Sequence, residues 1–253
     1  MAMPRRCCFV VLVILLLDFA ACFSHIEMEE QKSFKITWER GVVETIESNL
    51  KKSTARPFVM ALVGIPGSGK TTSAAILRNL LQANGVSTLV MPFDGYHYPM
   101  ATLRSFNNAA DFIYRRGAPD TFDANALRTD LMRIRSGSEA IVKLPGFDHA
   151  KGDPEIDSHV FERSHHELVI CEGLYLLHQE DGWQMTDSFD FSVFIESDVD
   201  RCVERLKIRN KVIPGYTPEE IEIRVDEVDR VNALTVLRSK PRANLVVQSA
   251  AEF

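Results

Sequence analysis

The sequence predicts an α/β fold in three layers, with a mostly parallel sheet between helices on its two faces. Short, continuously apolar segments such as Phe58–Val63 and Leu168–Cys171 are typical of strands buried on both faces. Segments with helical spacing lie between these strands, and alternating strands and helices favour a parallel sheet. The chain has 253 residues, 45% of them hydrophobic and 25% charged, which is enough for one large domain of this kind.

A glycine-rich loop lies between the first apolar strand and the first helix after it. Its sequence is Gly64-Ile65-Pro66-Gly67-Ser68-Gly69-Lys70-Thr71, and Thr72 follows in the helix. It fits the pattern G-x-x-x-x-G-K-[ST] at every fixed position. The glycines let the backbone direct N–H groups at phosphate oxygens, and the helix adds the positive end of its dipole. We therefore expect a P-loop NTPase fold in which residues 64–72, the phosphate loop, bind a nucleoside triphosphate.

Two side chains of the phosphate loop have predicted roles of their own. Lys70 supplies positive charge to the β- and γ-phosphates. Thr71 offers a hydroxyl to Mg²⁺, which prefers an octahedral oxygen shell shared with phosphates and water. The expected cofactors are therefore ATP and Mg²⁺. The alternative, a glycine-rich turn that binds nothing, is disfavoured because a strand precedes the loop and a helix follows it.

The other elements are predicted from apolar spacing and from helix start and stop signals. Trp38, Val42, Ile46 and Leu50 recur every four residues and indicate an amphipathic helix outside the sheet. In the helix after the phosphate loop, Ala75, Ile76, Asn79 and Leu80 are expected near one face. Further strands are predicted at 86–91, 141–144, 168–173, 191–195 and 245–247, helices at 103–116, 124–134 and 217–237, and an exposed hairpin or flap at 153–163.

Residues 1–24 are predicted to be a signal peptide or a signal-anchor. Arg5-Arg6 precede an apolar block, Cys7–Leu17, and small residues follow near Ser24. The block is short for a membrane span, so a membrane is an expected partner only if this segment stays as an anchor. We expect a helical extension at 25–55 and a catalytic domain at 56–253. The leader suggests the secretory pathway or an organelle, whereas the domain is of a type usual in the cytoplasm, and the location stays open.

Charge and cysteine content exclude some classes of protein. A formal net charge of −6 argues against nucleic acid as the main partner. Outside the leader only Cys171 and Cys202 remain, which is neither a disulfide framework nor a metal cluster. The expected partner is instead a small-molecule acceptor, and a homodimer is left open.

An aspartate lies beyond the second predicted strand, in the sequence Asp94-Gly95-Tyr96. Ligands of parallel sheets bind outside the carboxyl ends of the strands, which brings Asp94 to the same edge as the phosphate loop. The loop followed by Asp94 resembles the uridine kinase, pantothenate kinase and phosphoribulokinase superfamily of P-loop kinases. This resemblance implies that Asp94 orients the acceptor hydroxyl and takes its proton. A tight turn at Asp94-Gly95 is the alternative.

The same resemblance implies an acceptor pocket from several further segments. The residues it implies there are Tyr96, His97, Arg116, Asp123, Phe147 and His149. Asp123 can equally cap a helix, Arg116 can be solvated at a helix end, and Phe147 and His149 can belong to a hairpin turn. The segment from Asp94 to Pro99 is closer to the pantothenate kinase form than to the uridine kinase form.

Two further features of the donor half also follow from the resemblance. Glu172 ends a buried strand like the Walker B acid of the family, which faces Mg²⁺, although any strand can end in an acid. Arg201, Arg205 and Arg209 are spaced by four on a predicted helix, where the family has a mobile lid. The resemblance implies a helical lid with Arg205 and Arg209 in catalysis and Arg201 at the nucleotide; a solvated helix face is the alternative.

These features together predict an ATP-dependent kinase that transfers the γ-phosphoryl group to a hydroxyl of a small metabolite. The acceptor stays open among a nucleoside, a pantothenate-like compound and a sugar. The alternatives are a nucleotide-binding regulatory module without an acceptor and an NTPase.

Overall fold

The computed structural model describes residues 38–148, 151–180, 182–211 and 217–249. The strands are β1 (Phe58–Gly64), β2 (Thr88–Pro92), β3 (Ile141–Asp148), β4 (Asp153–Glu162), β5 (Leu168–Gly173), β6 (Phe191–Glu196) and β7 (Leu245–Gln248). The helices are α1 (38–52), α2 (Lys70–Ala83), α3 (Met100–Ser105), α4 (Ala109–Tyr114), α5 (Ala124–Ser136), α6 (Val199–Asn210), α7 (Pro218–Arg224) and α8 (Arg230–Leu237).

A five-stranded parallel sheet in the order β2-β5-β1-β6-β7 forms the centre of the fold. β1 is buried along its whole length, and alternate residues enter two different cores. Val59 and Val63 contact the core that includes side chains of α5 and α8. Met60 and Leu62 contact the core that includes α1 and α2. Helices therefore cover both faces of the sheet, which confirms the predicted fold class.

β3 and β4 form an antiparallel hairpin separate from the main sheet. The predicted strand at 141–144 and the predicted hairpin are both present, with β3 extended to Asp148. In the register of the main sheet, Glu172 of β5 lies beside Leu62 of β1 and Pro92 of β2. The phosphate loop, the turn after β2 and the end of β5 consequently meet at one edge.

Two predictions about helices are wrong. The segment 103–116 is broken into α3 and α4, because Asn108 has a left-handed backbone with φ of 62°, which cannot continue a right-handed helix. The buried face of α2 is formed by Ser73, Ala74, Leu77 and Leu81. Apolar residues lie on several sides of this helix, so their spacing alone did not select the face.

The predicted helix at 217–237 is continuous but irregular. Its start is a capping box of Thr217 and Glu220 with Pro218 at the first position, and a π-helical segment, Val225–Asp229, joins α7 to α8. Within the described ranges, no helix combines the length and hydropathy needed to cross a membrane. The predicted leader lies outside the described residues, and the division into extension and catalytic domain remains a prediction.

Candidate active site

The phosphate loop turns back on itself between β1 and α2. Gly67 and Gly69 have φ of +79° and +87°, a region that favours glycine. At Gly64 an added Cβ would lie 2.7 Å from Ser68 Oγ and 3.0 Å from the carbonyl oxygen of Ile195. Gly69 is the N-cap of α2, and no side chain caps the helix. The loop therefore leaves the N-terminal N–H groups of α2 for an anion.

Lys70 and Thr71 point their side chains to different partners. Lys70 Nζ donates to the carbonyl oxygen of Ile65 across the loop, at 3.0 Å. Thr71 Oγ1 donates to Glu172 Oε1 at 3.0 Å. Burial lowers the pKa of Lys70, while the charges of Glu172 and Asp94 raise it. Burial raises the pKa of Glu172, Lys70 opposes that change, and Asp94 adds to it. Three predicted site residues thus lie close enough for their charges to interact.

Asp94 lies on a short 3₁₀ turn, Phe93–Tyr96, directly after β2. Close contacts at two glycines fix this turn on two sides. At Gly95 an added Cβ would lie 2.6 Å from the carbonyl oxygen of Pro145 on β3. At Gly173 on β5 an added Cβ would overlap the side chain of Phe93. Glycine at both positions lets the turn fit tightly between the main sheet and the hairpin.

His97, Asp123 and Phe147 come together next to this turn. The ring of His97 lies 3.8 Å from that of Phe122 and 5.0 Å from that of Phe147, between centroids. Asp123 N donates to the carbonyl oxygen of Tyr96 at 2.8 Å. Asp123 also caps α5, since its Oδ1 accepts from the N–H of Ala126 at 2.9 Å, so the helix-cap alternative is present. We call this group, with Tyr98, the acceptor side of the site.

Two other predicted acceptor residues have different surroundings. Tyr96 is 3% exposed and lies in the core, where its hydroxyl donates to Asp130 Oδ2 on α5 at 2.9 Å. This burial is a correction to its predicted contact with substrate. The guanidinium of Arg116 donates to the carbonyl oxygens of Gly152 and Tyr98 and to Asp153 Oδ1. It therefore ties the hairpin to the acceptor side. His149 lies outside the described residues.

The predicted lid arginines lie on α6, which contacts the phosphate loop directly. Arg205 Nη1 donates to the carbonyl oxygen of Gly67 at 3.2 Å. Arg209 lies close enough to Lys70 for its charge to lower the pKa of that amine. Arg201 is exposed, and its N–H donates to the N-cap residue Asp198. Two of the three arginines are thus brought to the phosphate loop.

The model of the phosphoribulokinase / uridine kinase family matches residues 59–252. The chain belongs to this family. The fission yeast protein named "Putative uridine kinase C227.14" (Schizosaccharomyces pombe) is 31% identical over 196 residues, which cover 75% of this chain and 82% of that protein. Protein YggC of Escherichia coli is 33% identical over 203 residues, covering 78% and 80%.

A solved structure gives the same result for the fold. A "putative fructose transport system kinase" from Silicibacter superposes with a TM-score of 0.73 and 26% identity, covering 83% of this chain and 98% of that one. The present chain is therefore a P-loop kinase, a phosphotransferase whose acceptor is a small molecule with a hydroxyl group.

Among the described residues, sequence reasoning did not identify an ion pair between Arg224 and Asp229, whose side chains are mostly shielded from solvent. Asp229 Oδ2 lies 3.5 Å from Arg224 Nη1, and both side chains are less than one-fifth exposed. Arg224 also donates to the carbonyl oxygens of Tyr114 and Arg116. Burial raises the pKa of Asp229, while Arg224 and Arg209 lower it. Residues five apart do not lie on the same side of a regular α-helix, but the π-helical segment places Arg224 and Asp229 on the same side of this helix.

Proposed function

We propose that this kinase uses ATP and Mg²⁺ and transfers the γ-phosphoryl group to a hydroxyl of a nucleoside, pantothenate-like or sugar compound. The observation that carries the proposal is the position of Asp94 between two halves of one site. On one side, Asp94 affects the pKa of Lys70 and of Glu172. On the other, its turn adjoins the acceptor side. The names of the yeast relative, a "putative uridine kinase", and of the Silicibacter structure, a "putative fructose transport system kinase", agree with a small hydroxyl acceptor.

Each half has a distinct task in the proposed reaction. The N–H groups of residues 64–72 bind the phosphates, and Lys70, Arg205 and Arg209 stabilise charge that develops on the transferred group. Arg201 would contact the nucleotide when the lid helix α6 closes over the phosphate loop. Asp94 holds the acceptor hydroxyl in line and accepts its proton.

The oxygens at the phosphate loop fit a hard divalent cation. Thr71 Oγ1 and Glu172 Oε1 lie 3.0 Å apart at the end of the loop, and oxygen ligands are what Mg²⁺ prefers. Among the residues that the structure describes, no group of three or more His, Cys, Asp or Glu could hold a metal ion. The phosphates and water would therefore complete the shell. Bound Mg²⁺ would neutralise charge on the β- and γ-phosphates.

The test is the Asp94→Asn variant together with an acceptor screen. Coupled ADP release is measured over nucleosides, sugars and pantothenate, and ATP binding is measured by calorimetry. Asp94→Asn should keep ATP affinity and lower turnover by about 10²- to 10⁴-fold, because the acceptor hydroxyl loses its base. Unchanged turnover would remove Asp94 from the mechanism. ATP binding without acceptor-dependent ADP release across the panel would support the regulatory or NTPase alternative.

A further inference from the structure

The helical segment 218–229, which comprises α7 and the π-helical turn after it, contacts both α6 and the chain that follows α4. We call it the bridging segment. Val203 and Leu206 of α6 share a small buried cluster with Ile221 and Val225 of the bridging segment. Each of these four side chains is at most 3% exposed. Because such close packing transmits strain, a displacement of α6 is felt in the bridging segment.

Ion pairs reinforce the contact with α6. Asp226 Oδ2 lies 2.9 Å from Lys207 Nζ, and the Lys207 side chain is only 17% exposed. Arg230 lies 3.3 Å from Asp226, and it also donates to Asp200 in the first turn of α6. Partly buried pairs are screened by salt less than exposed pairs are. Asp226 thus links the bridging segment to α6 directly through Lys207 and indirectly through Arg230.

The helix α6 also lies directly on the phosphate loop. Arg205 Nη1 donates to the carbonyl oxygen of Gly67 at 3.2 Å. A Cβ added at Gly67 would lie 2.9 Å from the carbonyl oxygen of Cys202 on α6. Because the loop and the helix are in such close contact, a triphosphate held by the loop also restrains α6.

On its other side, the bridging segment binds the chain that follows α4. Arg224 Nη2 donates to the carbonyl oxygen of Arg116 at 2.9 Å, and its Nε donates to that of Tyr114 at 3.2 Å. The Tyr114 hydroxyl donates to Glu227. A guanidinium presents its donors in a rigid planar fork. Arg224 therefore fixes the backbone at Tyr114 and Arg116 relative to the bridging segment.

Arg116 extends this contact to the acceptor side. Its Nη2 donates to the carbonyl oxygen of Tyr98 at 3.1 Å, and its guanidinium carbon lies 5.7 Å from the centre of the Phe147 ring. The Arg116 side chain is 13% exposed and is paired with Asp153 at 3.0 Å. A continuous series of contacts thus runs from the phosphate loop through α6 and the bridging segment to the acceptor side.

We propose that Arg224 and Asp226 are positioning residues that join α6 to the acceptor side, so that a nucleotide held against α6 also orders residues 114–118. Ordering of one half lowers the entropy cost of ordering the other half, which gives positive coupling without a change of shape. By reciprocity, a bound acceptor raises nucleotide affinity by the same factor. The inference rests on the proposed use of ATP and adds a link between the two halves of the site.

The experiment is hydrogen exchange measured by mass spectrometry on the full chain, with and without Mg²⁺ and the non-hydrolysable ATP analogue AMP-PNP. The N–H groups of Gly117 and Ala118 report on the linked segment. They donate to Thr121 Oγ1 and to the carbonyl oxygen of Arg115, so they exchange when this turn opens. AMP-PNP should slow exchange in the phosphate loop and in α6, and it should slow exchange at these two amides by at least about fivefold.

The outcomes separate the inference from the proposed function. Slower exchange in the phosphate loop and α6 with unchanged exchange at Gly117 and Ala118 overturns the inference and leaves the use of ATP intact. No binding of AMP-PNP, measured by calorimetry, overturns the proposed function and the inference with it.

Two variants interrupt the link at its two ends. Arg224→Gln removes the fork that holds the backbone at Tyr114 and Arg116, and Asp226→Asn removes the charge that pairs with Lys207. In each variant AMP-PNP should still slow exchange in α6, but the slowing at residues 114–118 should fall below about twofold. A merely structural role would change exchange in the nucleotide-free protein and not the response to AMP-PNP. Asp226→Glu keeps the carboxylate at a partly exposed position and should restore the response.

The matched control is Glu222→Gln, which removes one charge from an exposed position of the same helix. This variant should respond to AMP-PNP as the wild type does, and its melting temperature should not change. A normal response in Arg224→Gln or in Asp226→Asn would contradict the assignment. A response lost equally in Glu222→Gln would contradict it as well.

Discussion

Replacing Gly95 by Ala should displace Asp94 and slow phosphoryl transfer while ATP binding is kept. An added Cβ would lie 2.6 Å from the carbonyl oxygen of Pro145 and 2.8 Å from its carbonyl carbon. Both are backbone atoms of β3, so the turn and the strand must move apart by roughly 1 Å. A misplacement of about that size costs on the order of 10²-fold in rate. Overpacking of this kind should also destabilise the fold by about 1–3 kcal/mol.

The assay is kcat by coupled ADP release, with ATP affinity by calorimetry and stability by urea denaturation. The atoms nearest to the added Cβ belong to β3 and not to the phosphate loop, so ATP affinity should stay within about twofold of the wild-type value. The matched control is Gly41→Ala on α1, where an added Cβ meets no atom within 4 Å. Gly41→Ala should raise the free energy of unfolding by about 0.5–1 kcal/mol and leave kcat unchanged. A Gly95→Ala enzyme with wild-type kcat would refute the argument that the contact with β3 positions Asp94.

Three further predictions concern stability, measured by urea denaturation. Leu77→Ala should lower the free energy of unfolding by about 2–5 kcal/mol because Leu77 is fully buried. Leu80→Ala is the same deletion at a half-buried position and should lower it less. Equal losses of stability would contradict the observed buried face of α2. Thr217→Ala should cost about 1 kcal/mol through loss of the capping box with Glu220, and Thr217→Ser should recover most of it. Burial raises the pKa of Asp229. Above the ordinary Asp pKa, the folded state therefore binds a proton at Asp229 more readily than the unfolded state does. Wild-type stability should fall as the pH rises through the folded pKa. Relative to Asp229→Asn, the wild type should therefore become more stable as the pH falls toward the ordinary Asp pKa. A constant difference in stability would count against the raised pKa.

The donor half could be predicted from sequence because its pattern is local. The phosphate loop needs glycine at fixed positions, and the strand before it and the helix after it are adjacent in the chain. Glu172 was predicted from its resemblance to the strand-terminal acid of the family, and the end of a parallel strand is where ligands bind. In each case a short segment contains the signal.

The rest of the site depends on contacts between distant segments. Tyr96 belongs to the core because Asp130, 34 residues away, accepts its hydroxyl. Arg116 is neutralised by Asp153, on a hairpin whose approach no local pattern indicates. The pair Arg224–Asp229 needs a π-helical turn, which periodicity of 3.6 does not predict. Sequence spacing locates these residues but does not tell which partner each one has.

The helix α1 places a limit on how the kinase can be processed. Val42 and Ile46 share a buried cluster with Met60 and Leu62 on the strand that leads to the phosphate loop. Each buried side chain of this size contributes roughly 1.5–3 kcal/mol. A cleavage near Ser24 would leave this contact whole. A protease that trimmed the chain to the start of the family match, at residue 59, would remove the part of this cluster that α1 supplies and leave only α2 over that face of β1.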